Sequence, residues 1–270
     1  MEEEEFEVIE EIKEEEPSVG EEFQWLAQKN KLVMTGNPAC PGCGSLLALK
    51  IALQVIDNHA LVLSEGEISP MIKYPVSYIN GVTLHAADPA AAASALSTNY
   101  PVIVYAGEGV TARTLDSVML AARRNDNILY ICYNNAGSSL AGISSEKRLA
   151  RSIPAGYAAT AALSNMEDYI RKLRKASKRA GFRFIEVLAP CPRMWKYDAS
   201  NTIEISRIAV ETAYWLVYEI VDEKLEITSR PQKIEPLERF TQLQKRIFSS
   251  DVIENLKETV NKNIKLLQKR

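Results

Sequence analysis

The sequence has few of the residues on which sulfur, metal and nucleic-acid chemistry depend. It contains four cysteines and two histidines, and its net charge is −3 with a pI of about 5.7. Because no basic excess is present, we expect no nucleic-acid binding. No apolar run reaches the roughly 18 to 20 residues that cross a bilayer, and no basic-then-apolar leader is found. These absences predict a cytoplasmic protein, whose thiols stay reduced.

Acidic residues are distributed unevenly along the chain. Residues 2–16 are mostly glutamate, with four apolar residues between them. Such a run is typical of a solvated, disordered segment, although its apolar residues leave open a strap that orders on a partner. We predict an acidic extension over 1–35, an α/β domain over 36–235 and a helical tail over 236–270.

Short apolar runs alternate with helical patterns in the middle of the chain. Strands are predicted at 60–64, 101–105, 128–133, 184–188 and 225–228. Helices are predicted at 46–56, 89–96, 111–124, 166–180 and 203–218, and in the tail at 237–267. The residues at 157–163 are small and apolar, and no element is assigned to them. The alternation indicates a parallel sheet with helices on both faces. In such sheets functional loops follow the carboxyl ends of strands. Four loops meet this condition, at 65–67, 107–109, 134–137 and 190–192.

A tight turn with two thiols stands before the first predicted helix. Cys40 and Cys43 lie three residues apart within the Pro/Gly-rich stretch 36–44. Glycine lets the backbone curl around a close ligand, and proline presets the turn. Two thiols in this setting suit a soft metal or an iron–sulfur cluster. Cys191, in a Pro-Cys-Pro turn after a predicted strand, is a third candidate, whereas Cys132 lies in an apolar strand and is expected in the core.

The two histidines offer a competing metal chemistry. His59 stands in a polar turn and is expected to be solvated, and His85 precedes an alanine-rich helix and is expected to be structural. Either leaves open a zinc site together with the three candidate thiols.

A second candidate site follows the next two strands. Gly107, Glu108 and Gly109 stand between a predicted strand and a helix, and Asn134 and Asn135 end the following strand. Glycines at this place let a diphosphate approach the backbone, and a helix N-terminus favours negative charge. A carboxylate and an amide oxygen suit magnesium. A plain tight turn is the alternative interpretation.

Taken together, these segments resemble the β subunit of the 2-oxoacid:ferredoxin oxidoreductases of the pyruvate and 2-oxoisovalerate type. The matching segments are 37–44, 107–135, 187–192, 202–215 and 218–220, within roughly 36–248. That family binds thiamine diphosphate through magnesium on a parallel α/β fold, and its β subunit holds a 4Fe-4S cluster near the cofactor. The resemblance implies oxidative decarboxylation of a 2-oxo acid such as pyruvate to acyl-coenzyme A, with electrons passing through the cluster to ferredoxin.

The resemblance also implies roles for residues of the second site. Glu108 and Asn135 are implied magnesium ligands with the carbonyl of Gly137, beside Gly107 and Gly109. The family takes the glutamate that activates the thiamine ring from a partner α subunit. No catalytic residue is therefore assigned in this chain, which is expected to act only with its α, γ and δ partner subunits.

For the cluster, the resemblance implies Cys40, Cys43 and Cys191 as ligands. The family's fourth cysteine is replaced here by Glu67, which offers a harder oxygen ligand. Glu67 is expected either to complete the cluster or to leave one iron open.

Other departures from the family fall on the same face of the predicted sheet. The family has aspartate where this chain has Glu108, and it has glutamate where this chain has Ser45. Residues 138–142 read Ser-Ser-Leu-Ala-Gly where the family has Tyr-x-Asn-Thr-Gly. An alternative hypothesis follows from these changes, namely a non-catalytic paralogous subunit with an electron-relay or structural role in such a complex.

Overall fold

One mostly parallel sheet organises the part of the chain that the computed structural model describes, which comprises residues 39–56, 59–64, 83–135, 148–246 and 248–268. Its strands are β1 (Ala60–Ser64), β2 (Thr83–Ala86), β3 (Val102–Gly107), β4 (Ile128–Asn134), β5 (Tyr157–Ala162), β6 (Arg183–Leu188), β7 (Val217–Val221) and β8 (Lys224–Ser229). The strand order is β2-β1-β3-β4-β6-β5-β7-β8. Strands β1 to β6 run parallel, whereas β7 is antiparallel to β5 and β8 is antiparallel to β7. The predicted α/β class is confirmed.

Helices cover both faces of this sheet. They are α1 (Gly44–Val55), α2 (Pro89–Leu96), α3 (Glu108–Arg113), α4 (Leu115–Arg124), α5 (Met166–Ser177), α6 (Pro192–Trp195), α7 (Thr202–Glu211), α8 (Leu237–Gln242) and α9 (Ser250–Gln268), with 3-10 turns at Leu149–Arg151 and Ala199–Asn201. Successive residues of β3 alternate between two apolar clusters, as strand geometry requires. Leu49 of α1 and Leu173 of α5 belong to one cluster, and Ala93 of α2 and Val118 of α4 belong to the other.

The central strands are mostly apolar because both of their faces are covered. Every residue of β1, β3, β4, β5 and β6 is buried, as is usual for parallel sheets between helices. The unassigned stretch 157–163 supplies β5, which pairs with β6 and β7.

Two of the predicted helices are interrupted in the structure. The helix predicted over 111–124 divides into α3 and α4 at Thr114, which has φ −108° and ψ 27°. The Thr114 hydroxyl donates to the Val110 carbonyl at 3.0 Å, a back-bond that weakens a helix interior. The single tail helix is likewise wrong, because α8 ends at Gln242 and α9 begins at Ser250.

The helix predicted over 203–218 extends too far. Helix α7 ends at Glu211, Ala213 takes a left-handed φ of 55°, and Tyr218 lies in β7. The helical spacing of apolar residues there is overridden by the pairing of β7 with β5. The helix predicted over 166–180 is confirmed in kind and ends at Ser177.

A buried lysine ties α5 to the sheet. The Lys172 ammonium donates to the Thr160 carbonyl at 2.8 Å and to the Thr228 hydroxyl at 2.7 Å, and it pairs with Asp168. Its side chain has no exposed surface. Burial outweighs the attraction of Asp168 and lowers the pKa of Lys172 to about 8.

This lysine predicts a dependence of stability on pH. Between about pH 8 and the ordinary lysine pKa of 10.5, the unfolded chain binds this proton and the folded chain does not, so stability rises with pH. The free energy of unfolding of the wild type, relative to Lys172→Met, is expected to rise by about 3 kcal/mol from pH 7 to pH 10.5. Urea titrations of both proteins across this range measure the difference, and parallel pH curves would contradict the assignment.

Candidate functional site

The carboxyl ends of three adjacent strands bring the predicted site residues to one edge of the sheet. Gly107, the last residue of β3, is in register with β4, and the last residues of β4 and β6 pair with each other. Glu108, Asn135 and Cys191 follow these strand ends. Since neighbouring strands lie about 4.8 Å apart, residues far apart in sequence meet at this edge.

The sequence predicted a loop at 107–109. In the structure Glu108 follows β3 directly as the first residue of α3, so no loop separates the strand from the helix. Its side chain is buried. Gly107 is needed because a Cβ there would lie 2.8 Å from the Tyr133 hydroxyl. The space beside Gly109 is open, since the nearest described atom to a Cβ there is Nη1 of Arg113 at 3.8 Å.

The end of β4 is fixed by hydrogen bonds from β6 and α6. The Asn135 carbonyl accepts a hydrogen bond from Nε1 of Trp195 at 2.7 Å. The Asn134 carbonyl accepts one from the Ala189 amide at 2.8 Å. The Asn134 side chain donates through Nδ2 to Oε1 of Glu186 at 2.7 Å. The backbone at Asn135 is therefore fixed by hydrogen bonds to its own carbonyl and to that of the preceding residue.

Glu186 is a residue of this site that the sequence interpretation missed. It is fully buried in the middle of β6, and its second carboxylate oxygen accepts a hydrogen bond from the Ala150 amide at 3.3 Å. A signal was present, because one carboxylate stands inside the apolar run 184–188. Such a residue is almost never fully buried unless it is paired.

The oxygen donors at this edge fit a magnesium ion by their chemistry. Glu108 offers a carboxylate and Asn135 an amide oxygen, both buried, at the ends of neighbouring strands. Magnesium prefers oxygen ligands of this kind. Gly137 lies outside the described residues. The role of Glu108, Asn135 and Gly137 as ligands stays a prediction.

The turn that carries Cys40 and Cys43 packs against the turn that carries Cys191. The Cys43 amide donates to the Cys40 carbonyl at 3.1 Å, and the Gly44 amide donates to the Pro190 carbonyl at 3.2 Å. A Cβ on Gly44 would lie 2.6 Å from that carbonyl oxygen. Only glycine allows the two turns to approach so closely.

The start of α7 braces the same turn from another side. The Thr202 hydroxyl donates to the Gly42 carbonyl at 2.7 Å and lies 3.3 Å from the Tyr197 hydroxyl. Gly42 has φ +68°, and a Cβ there would overlap the Ala199 carbonyl. The thiol turn is therefore held between the end of β6 and the start of α7.

The three candidate thiols are half-buried, and two of them act on the pKa of the third, Cys43. Burial raises the pKa of the Cys43 thiol, and the nearby thiols of Cys191 and Cys40 raise it further. Cys132 is fully buried in β4, which confirms its predicted place in the core. Burial raises its pKa well above the usual range, and the charge of Glu186 adds to this effect.

The described part of the chain contains no ready-made site for a single metal ion. Among the described residues, no group of three or more His, Cys, Asp or Glu side chains is arranged to hold a single metal ion. A four-iron cluster binds its thiolates at separate irons, so it does not require them around one ion. Glu67 lies outside the described residues. The assignment of Cys40, Cys43, Cys191 and Glu67 as cluster ligands stays a prediction.

The histidines do not join these thiols. His59 was expected to be solvated, but it is buried directly before β1, because that strand is covered along its whole length. It therefore lies at the amino edge of the sheet, opposite the thiols. His85 lies within β2 on the outer edge of the sheet. A zinc site that combines the thiols with a histidine is not found in the described part of the chain.

Comparisons with known proteins connect this architecture to a family. Residues 58–187 match the family model for the thiamine pyrophosphate enzyme C-terminal TPP binding domain. Pyruvate synthase subunit PorB of Methanothermobacter marburgensis is 30% identical in an alignment 259 positions long, which covers 81% of this chain and 90% of that protein. Ketoisovalerate oxidoreductase subunit VorB of Pyrococcus abyssi is 32% identical, over 78% of this chain and 83% of that protein.

The chain belongs to the family of β subunits of 2-oxoacid:ferredoxin oxidoreductases. A solved structure of 2-oxoglutarate:ferredoxin oxidoreductase from Magnetococcus marinus is similar with a TM-score of 0.48 and 19% identity, over 66% of this chain and 79% of that one. The family membership rests on the sequence relatives alone. No helix among the described residues has both the length and the apolar composition needed to cross a membrane.

Proposed function

We propose that this chain is the β subunit of a complex that oxidatively decarboxylates a 2-oxo acid, such as pyruvate or 2-oxoisovalerate, to acyl-coenzyme A and passes electrons to ferredoxin. One observation carries the proposal. Glu108 and Asn135 lie at the same edge of the sheet as the two turns that carry the three candidate thiols. Thiamine diphosphate, when bound, supplies the carbanion chemistry, and the protein supplies position and electrostatics.

In this proposal Glu108 and Asn135 would hold the magnesium ion that accompanies the diphosphate, with the Gly137 carbonyl as a further ligand. Gly107 and Gly109 keep side-chain atoms away from the backbone beside Glu108. The burial of Glu108 and Asn135 excludes bulk water, which strengthens the attraction between their oxygens and a cation.

Cys40, Cys43 and Cys191 are the proposed ligands of a 4Fe-4S cluster, with Glu67 in the fourth position. A ligating thiol must lose its proton, and burial and thiol repulsion disfavour this at Cys43. The positive charge of iron, if bound there, would offset both effects. Free thiols of this kind suit a reducing compartment, so we place the protein in the cytoplasm.

The proposed complex contains an α subunit, which supplies the glutamate that activates the thiamine ring, and γ and δ subunits. The chain alone is therefore expected to be inactive. The second candidate function is a non-catalytic subunit of the same complex. It is favoured by Glu108 and Glu67, which stand where the family has aspartate and cysteine, and by the altered residues 138–142.

Cofactor analysis of the complex, purified anaerobically, tests both functions. Thiamine diphosphate bound in a one-to-one ratio with this chain, together with broad brown absorbance, is the expected result. A brown complex that binds no thiamine diphosphate after reconstitution with magnesium would favour the non-catalytic subunit. A colourless, zinc-containing complex would exclude both functions.

Glu108→Gln gives a sharper test of the magnesium site. The substitution keeps the shape of the side chain and removes its charge, so the magnesium concentration that half-saturates thiamine diphosphate binding is expected to rise by about tenfold or more. Asp116→Asn, which removes an exposed carboxylate from the neighbouring helix α4, is the matched control. Calorimetric titration of both variants in the complex measures the shift, and equal magnesium requirements would rule Glu108 out as a ligand.

A further inference from the structure

Glu186 joins two parts of the chain that are distant in sequence. Its Oε1 accepts a hydrogen bond from the Asn134 side chain, and its Oε2 accepts one from the Ala150 amide. Asn134 stands directly before Asn135, and Ala150 belongs to the 3-10 turn Leu149–Arg151. One fully buried carboxylate thus connects the end of β4 to the 3-10 turn that contains Ala150.

The hydrogen-bonding pattern indicates that Glu186 is ionised. Both partners are N–H donors, one to each oxygen, and a carboxylate that only accepts hydrogen bonds is the charged form. A buried charge is retained only where it is paired or hydrogen-bonded, so both bonds are needed for its place in β6.

The segment on the Ala150 side is itself firmly held. The Arg148 guanidinium lies 4.0 Å from the centre of the Trp215 ring and donates to the Tyr214 carbonyl at 3.0 Å. Leu149 and Ala150 are buried in the cluster that also contains Cys132. The Glu186 carboxylate therefore bonds on one side to a fixed backbone and on the other side to the residue that precedes Asn135.

We propose that Glu186 is a positioning residue for the divalent-cation site, which orients Asn135 by fixing the side chain of Asn134 against Ala150. This inference rests on the proposed function, because it concerns the proposed magnesium ligand. Glu186 touches neither substrate nor cofactor in this role. It acts through Asn134, as the hydrogen-bonded partners behind metal ligands do, and their loss typically lowers metal affinity by about 10 to 100-fold.

Glu186→Gln tests the proposal in the complete complex. In glutamine an NH2 group, which cannot accept a hydrogen bond, takes the place of one of the two oxygens, so one of the two bonds is lost at constant shape. Glu219→Gln is the matched control, because Glu219 is also buried in the sheet and accepts from Tyr157 at 3.0 Å and Lys175 at 2.6 Å, away from the site. Thiamine diphosphate bound at increasing magnesium is measured for each protein, together with hydrogen exchange of the Ala150 amide in the absence of cofactor.

The expected result is a half-saturating magnesium concentration raised about 10 to 100-fold in Glu186→Gln and less than about threefold in Glu219→Gln, with faster exchange at Ala150 only in the former. Equal magnesium requirements in the two variants would overturn the proposal. If Glu186→Gln does not assemble, Asn134→Ser breaks the same hydrogen bond from the other partner and must show the same shift. If the wild-type complex binds no thiamine diphosphate, the proposed function fails and this inference fails with it. If the wild-type complex binds it and Glu186→Gln has the same magnesium requirement, this inference alone is refuted.

Discussion

Gly42→Ala is expected to destabilise the protein by about 3 kcal/mol or more and to move the turn that carries Cys40 and Cys43 away from Thr202. Gly42 has φ +68°, which costs an L-residue roughly 1 to 2 kcal/mol. A Cβ there also overlaps the Ala199 carbonyl, and backbone shifts of this kind cost about 1 to 3 kcal/mol. The Thr202 hydroxyl bond to the Gly42 carbonyl is then lost as the turn moves.

Urea unfolding and iron content of Gly42→Ala measure the two effects. Gly156→Ala is the matched control, because Gly156 has no positive φ and a Cβ there meets nothing within 4 Å among the described atoms. The control is expected to unfold within about 0.5 kcal/mol of the wild type and to keep its iron. If Gly42→Ala and Gly156→Ala have the same stability, the turn is not held as described.

Trp195→Ala is expected to cost about 3 to 5 kcal/mol of stability. Trp195 is fully buried, and it meets Tyr197 and Phe240 edge-on at centroid distances of 6.3 and 5.6 Å. Its Nε1 also donates to the Asn135 carbonyl at 2.7 Å. The substitution therefore removes core packing and a bond that fixes the candidate magnesium site.

Trp195→Phe separates these two contributions. It keeps an aromatic ring and removes the donor, so the Asn135 carbonyl loses its partner at a cost of about 1 to 3 kcal/mol. Trp215→Phe is the control, since Trp215 is equally buried and its Nε1 makes no hydrogen bond to the described residues. Chemical denaturation of both variants is the measurement. A cost for Trp195→Phe no larger than that for Trp215→Phe would show that the bond to Asn135 contributes nothing.

The parts of the fold that local patterns determine were predictable from the sequence. Mostly apolar runs produce β1, β3, β4 and β6 within two residues of their predicted limits. Asp88 and Pro89 begin α2 as expected, because the Asp88 side chain accepts from the Ala91 amide at 3.0 Å. These features depend on neighbours in sequence, which composition and spacing reveal.

The parts that failed depend on partners far away in the chain. Tyr218 has helical spacing with the residues before it, yet its strand is chosen by the neighbouring strand β5. His59 stands among polar residues in sequence and is buried because β1 is covered.

The candidate site divides in the same way. Cys40, Cys43, Glu108 and Asn135 stand in recognisable turns and strand ends, so their residue types and spacing identify them. Glu186 is the one carboxylate in β6, and its partners come from β4 and from Ala150. Only the three-dimensional structure reveals these hydrogen-bond partners.

The bond between Thr202 and Gly42 spans 160 residues, and this separation has a consequence for biosynthesis. At about 5 to 20 residues per second, the ribosome needs roughly 8 to 32 s to add that length of chain. For most of this interval Cys40 and Cys43 are outside the ribosome, while Cys191 and the residues that hold their turn have not yet been made. A cluster inserted into the nascent chain would therefore find only two of the three candidate thiols. We expect the cluster to be assembled after α7 has been synthesised.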